Sequence, residues 1–232
     1  MDLPPHPQFS RLPAKILLWT ALATLALPPV VNAYDTQLDD RALHEAYVLG
    51  QRNDKVTGDF LNVYINEISE RQSGPHIAQI QLLTPYAQVV DQSRQKTGSG
   101  YSEQQAIQDY HDRGNTISIN IVLMLPAAYP KASGNAPASP ASGEQKADIR
   151  PENFWQNFQF NLKQNGKTIP SRSLSNKPIQ STATNETPSV LDGENVWLEF
   201  DVKDVASDVA TVEVVTPESK LIKASFDLKK LR

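Results

Sequence analysis

The chain reads as mainly β with helical additions (α+β): an antiparallel β-sandwich, immunoglobulin-like in style, with an N-terminal helical pair and one further helix. Three observations predict this. About six to eight short stretches alternate apolar and polar residues. Several are joined by tight turns, Asn165-Gly166 being the clearest. Helical spacing is confined to the part before residue 115. Many strands with short connections most often resolve into two antiparallel sheets, and no solenoid or propeller period competes.

Residues 1–33 stand apart from that pattern. Arg11 and Lys15 precede an apolar run from Ile16 to Leu27, Pro28-Pro29 break it, and Val31-Asn32-Ala33 end it on small residues. That is the layout of a secretory signal peptide cleaved between Ala33 and Tyr34. The run is too short for a bilayer span, which needs roughly 20 residues. The expectation is an exported protein, periplasmic or secreted, with no membrane span after cleavage. Residues 34–232 then form a single domain, whose part from 34 to 75 is helical.

Composition narrows the chemistry. Cysteine is absent, so disulfides, a thiol nucleophile and Cys-based metal centres are excluded. The net charge is −4, and no basic face offers itself to a phosphate backbone, so nucleic acid is not an expected partner.

The elements follow in order. Leu38, Ala42, Leu43, Ala46, Tyr47 and Leu49 recur at helical spacing, with Gly50 as the expected stop. Asp54 caps a second helix with a stripe of Val56, Phe60, Val63, Tyr64 and Ile68. His76 to Leu83 is a strand with Ala78, Ile80 and Leu82 on one face. Thr84-Pro85 is an N-cap followed by proline at the first helical position, with Tyr86, Val89 and Val90 behind it. Ser102 and Gln105 form a capping box, and Gly114 is the stop. Thr116 to Leu125 alternates on Ile117, Ile119, Ile121 and Leu123; Val122 and Met124 on the other side predict a central strand buried on both faces.

Residues 126–148 are rich in Pro, Ala and Ser and are expected to be a disordered loop within the domain. Phe158 to Leu162 is a strand, and Asn165-Gly166 sets Leu162 opposite Ile169. Residues 170–195 are polar and read as loop, with a short strand near Ile179 and a tight turn at 192–195. Val196 to Val202 is a strong strand with Val196, Leu198 and Phe200 inward and Trp197, Glu199 and Asp201 outward. The last hairpin pairs Val214 with Ile222, Val212 with Ala224 and Glu213 with Lys223, so apolar and charge registers agree.

Candidate chemistry is sparse. His44, His76 and His111 survive cleavage, but none sits in a zinc-helix motif. Asp109, His111 and Asp112 are sequence neighbours that a helix splays apart. Ser99 between Gly98 and Gly100 lacks the spacing of a nucleophile elbow. No metal site, cofactor or catalytic set is expected. Trp197, Glu199 and Asp201 are the candidate ligand-binding residues. An outward indole stacks on a sugar or anchors a partner; an N-terminal helix lying over it is the competing expectation. Glu199 and Asp201, about 7 Å apart on one strand face, have a spacing at which carboxylates work on glycosides, and an ordinary solvated sheet face produces the same spacing.

The segments 45–54, 84–87 and 196–201, reading EAYVLGQRND, TPYA and VWLEFD, resemble uncharacterised exported bacterial proteins. The resemblance implies no activity and no functional residue. The expectation is therefore a non-enzymatic binding or envelope-assembly protein whose partner is a protein or polysaccharide. A carboxylate- or histidine-dependent hydrolase and a carbohydrate-binding module are the alternatives.

Overall fold

The computed structural model describes residues 34–68, 74–126, 153–181 and 191–232. The expected leader, and the Pro/Ala/Ser-rich loop beyond Pro126, lie outside the described residues. What is described is mixed α+β, with four helices and two antiparallel sheets.

Helix α1 (Asp40–Arg52) starts where the Asp39 carboxylate accepts the Ala42 amide at 2.7 Å. It does not stop at Gly50. Asn53, at φ 44°, ends it in the left-handed region. Gly50 is instead a contact residue: a Cβ there would collide with the Val90 carbonyl and the Ser93 side chain. Its lack of a side chain lets α1 lie against α3 (Pro85–Gln95) at backbone distance. Helix α2 (Lys55–Asn62) starts on Asp54 as expected but spans two turns. Val56 and Val63 are 50% and 60% exposed, so the expected stripe does not reach Ile68. Leu61 and Tyr64 carry the burial, and the chain turns into a strand, β1 (Ile65–Glu67).

Both later helix starts are used, giving one helix more than the expectation of a single further helix. Thr84 caps α3 with Pro85 in its first turn. Ser102 and Gln105 close the capping box of α4 (Glu103–Arg113), and Gly114 at φ 77° ends it.

Strands β2 (His76–Leu83) and β3 (Thr116–Met124) follow. Next come β4 (Gln159–Gln164), β5 (Lys167–Ile169), β6 (Ser173–Gln180) and β7 (Leu191–Asp201). The last pair is β8 (Val209–Val215) and β9 (Leu221–Asp227). One sheet runs β1-β2-β3-β7-β6 and the other β5-β4-β8-β9.

β3 is central, as expected, but only one of its faces is fully buried. Ile117, Ile119, Ile121 and Leu123 are sealed, while Ser118, Asn120, Val122 and Met124 keep some exposure. In β2 the alternation is shifted. A bulge at Ala78 brings Ile77 opposite Leu123 and Gln79 opposite Val122. Ile77, not Ala78, therefore joins Ile80 and Leu82 in the core.

The largest correction is residues 170–195. The polar stretch Ser173–Gln180 is a full edge strand against β7. As an outer strand with both faces largely in solvent, it needs no apolar alternation, so its composition resembles that of a loop. The expected turn at 192–195 is inside β7. Gly193 lies against the Leu123 carbonyl, where a Cβ has no room.

The second sheet follows the local signals. Asn165 (φ 51°) and Gly166 (φ 77°) make the turn, and Leu162 faces Ile169. Val214–Ile222, Val212–Ala224 and Glu213–Lys223 pair as the register requires. Glu213 also reaches Lys163, so two lysines at 2.7 and 2.8 Å hold its pKa down through hydrogen bonds.

One hydrophobic cluster takes in Ile119, Leu198 and Phe200 of the first sheet, Val212 and Phe226 of the second, and Leu43 and Val90 of the helices. Tyr34 is sealed within it and donates its hydroxyl to the Val205 carbonyl at 2.6 Å. Burial pushes its pKa up to about 12.

Candidate functional site: the polar face of the five-stranded sheet

Alternation along β7 sends Val196, Leu198 and Phe200 into the core and Asn195, Trp197, Glu199 and Asp201 to the opposite face. Register then decides which residues of the other strands share that face. Trp197 lies opposite Asn120 on one side and Ser175 on the other. Asn120 lies opposite Gln81, and Gln81 opposite Ile65. The result is a row across all five strands: Ile65, Gln81, Asn120, Trp197, Ser175. At the usual strand spacing it is about 19 Å long.

The next row on one side is Leu83, Ser118, Glu199 and Ser173. The next on the other is Glu67, Gln79, Val122, Asn195 and Lys177. Amides and hydroxyls therefore surround one indole. Asn120 adds a specific feature: its Oδ1 is buried and accepts no hydrogen bond. That oxygen is sealed from solvent, so it marks a cost of burial within the face and not an acceptor open to a ligand.

Helices α3 and α4 wall one end of the face. Gln88, Asp91, Gln92, Gln95 and Arg113, with Ser118 and Glu199, line a hollow of about 200 Å³. Arg113 donates through Nη1 to Gln88 Oε1 at 3.1 Å and through Nη2 to Gln92 Oε1. Burial lowers its pKa, and the Glu199 charge acts in the opposite direction. Gln88 is itself fixed, since its Nε2 donates to the Leu83 and Thr116 carbonyls. Behind this, Asp109 accepts from Gln92, from Lys96 at 2.9 Å and from Tyr101 at 2.9 Å. The Lys96 hydrogen bond is the main cause of its lowered pKa.

The three sequence-derived candidates share the face but not an environment. Trp197 is mid-row and partly buried. The N-terminal helix expected to lie over it packs along α3. Glu199 lines the hollow and accepts from Ser173 Oγ at 3.0 Å. Asp201, at the strand end, lines a different cavity of about 520 Å³, near Lys203 (3.8 Å) and Arg172 (4.0 Å). The two carboxylates thus do not converge on one hollow.

The histidines also lie apart. His44 Nδ1 is 3.0 Å from Glu103, His76 Nδ1 is 3.2 Å from the Gly74 carbonyl, and His111 rests beside Tyr110. Asp112 accepts from Gln108 at 2.7 Å, away from the Asp109 network. Ser99 donates to the Lys96 carbonyl within a turn where Gly98 and Gly100 both have positive φ. Among the described residues no three His, Asp or Glu side chains group as metal ligands, and no helix is long and apolar enough to cross a membrane.

Sequence reasoning missed Asn120, Gln81, Ser118 and Arg113. Alternation in β3 does put Ser118 and Asn120 opposite the isoleucines. Their place beside Trp197 depends on register with a strand some 75 residues away, which no local signal sets. No family model, curated protein or solved structure matches the chain.

Proposed function

We propose that this is an exported, non-enzymatic binding protein that recognises a neutral polysaccharide on the polar face of its five-stranded sheet. In this reading the two sheets form a sandwich, and residues 1–33 are a leader removed before Tyr34. The observation that carries the proposal is the row Gln81, Asn120, Trp197 and Ser175. An indole supplies a flat apolar surface for the C–H face of a pyranose. Ser175, exposed on the edge strand, flanks it on one side, and the amides of Asn120 and the largely buried Gln81 lie on the other. Glu199, Asp201 and Asp91 are matched nearby by Arg113, Arg172 and Arg94, which favours an uncharged chain over an acidic one.

Two observations weigh against the competing roles. A glycosidase needs both carboxylates on one bond, and here they line separate hollows. Assembly by strand addition needs a long, unguarded edge. β1 and β5 have three residues each, β6 carries Pro178, and β9 carries exposed Lys223. Each is a known way of blunting an edge.

The test is retention of the full-length chain by insoluble cellulose, chitin and peptidoglycan sacculi, and by a soluble β-glucan in native gels. At least one is expected to retain it, and Trp197→Ala is expected to weaken retention about thirtyfold, as loss of a central aromatic anchor does. Retention by none of them, or retention unchanged in Trp197→Ala, overturns the proposal. N-terminal sequencing of exported material is expected to begin at Tyr34.

A further inference from the structure

The cavity at the end of β7 is a separate feature from the Trp197 row. Its volume of about 520 Å³ lies in the range of small-ligand sites. Its wall joins four parts of the chain: Thr36 and Gln37, Asn115 between α4 and β3, Asp201 with Lys203, and the segment from Val205 to Ser207. Val202 and Val205 border it from the core side and, at 5% and 3% exposure, present little surface to it.

The polar groups around it are under-used. Asp201 has two cations nearby, at 3.8 and 4.0 Å, both beyond hydrogen-bond distance, and accepts no hydrogen bond among the described residues. Ser207 Oγ is buried without a partner. Asn115 accepts the Tyr110 hydroxyl at Oδ1, which fixes its orientation and leaves its amide N–H groups for something else. Asp201 and Asn115, from two segments, thus border the cavity with capacity left over, whereas the Ser207 hydroxyl is sealed from solvent and is not offered to a ligand.

The charges select the ligand class. A cationic ligand would meet Lys203 and Arg172, and an anionic one would meet Asp201. A neutral polyol meets neither objection. Its hydroxyls can donate to the Asp201 carboxylate and accept from Asn115 Nδ2 and Lys203 Nζ. We propose that this cavity is a second binding site, taking one small neutral polyol of monosaccharide size with Asp201 as its principal acceptor. The site stands independently of the Trp197 face.

The test is a titration of the ¹⁵N-labelled full-length chain with D-glucose, D-galactose, N-acetyl-D-glucosamine and myo-inositol, followed by amide NMR. Saturable shifts are expected at Thr36, Asn115 and residues 201–207 with at least one of the four. Asp201→Asn keeps the size and removes the charge, and is expected to weaken that binding about tenfold or more. Trp197→Ala is expected not to weaken it at all. No saturable shift at these positions with any of the four overturns the proposal, as does equal affinity in Asp201→Asn. Absence of polysaccharide retention by the unaltered chain, with these shifts intact, would count against the sheet-face reading alone.

Discussion

The two faces of the five-stranded sheet are made by the same strands, yet they obey different rules. On one, Ile117, Ile119, Ile121, Val196, Leu198 and Phe200 are sealed from water. On the other, Ser118, Asn120, Trp197 and Glu199 are only partly buried, and Gln81 is the most enclosed of the polar side chains there. The first face is interchangeable in kind: any well-fitting apolar residue does its work. The second is particular, since amides and one indole placed in register have no role in a dry core. On the proposed reading, stability and recognition are separated by a single Cβ inversion along β7.

The sharpest way to break that contrast is on one strand. Phe200→Ala leaves a cavity in the core and is expected to cost about 3–5 kcal/mol, read as a lowered urea midpoint. Polysaccharide retention under folding conditions is expected to survive it. Trp197→Ala removes a larger side chain from the partly buried face, and is expected to cost less, about 1–2 kcal/mol. It should abolish most retention. If the two variants lose stability equally, the faces are not energetically distinct. Between them comes Gly193→Ala, which drives a Cβ into the Leu123 carbonyl where β3 and β7 meet. That overpacking is expected to cost about 1–3 kcal/mol, although the residue reads in sequence as an ordinary turn glycine.

Gly193 also shows where legibility ended. Features decided within a few residues were readable: the caps of Asp54, Thr84 and Ser102, the Asn165-Gly166 turn, and the β8–β9 register, in which charge and apolar pattern agree. Features decided by distant contact were not. Gly50 and Gly193 look like punctuation until the backbone each one faces is known. β6 has no pattern of its own because its partner β7 supplies the order and neither of its faces is buried. The bulge at Ala78 changes the phase of β2 with no compositional mark. The same division holds for the site. Alternation sufficed to turn Trp197, Glu199 and Asp201 outward together. That Glu199 lines one hollow and Asp201 another depends on where α3, α4 and the segment after β7 come to rest.

The smallest effect expected concerns the wall of the polar face. Asp109 links α4 to α3 by accepting from Lys96, Tyr101 and Gln92, and Gln92 in turn accepts from Arg113 at the hollow. Its pKa is lowered in the folded chain, chiefly by the Lys96 hydrogen bond. A carboxyl lowered on folding stabilises the fold above its unfolded value of about 3.9, and that contribution is lost as the pH falls through the lower folded value. Asp109→Asn should therefore reduce the urea midpoint at pH 7 relative to the parent, with the gap closing as the pH falls through the lowered folded-state pKa. The side chain is partly solvated, so the gap should also shrink in high salt. A gap that stays constant with pH would mean that the amide fails for reasons of shape. The wall would then be held by packing of α1 on α3, like the apolar face, and the contrast between the two faces would stop at the strands themselves.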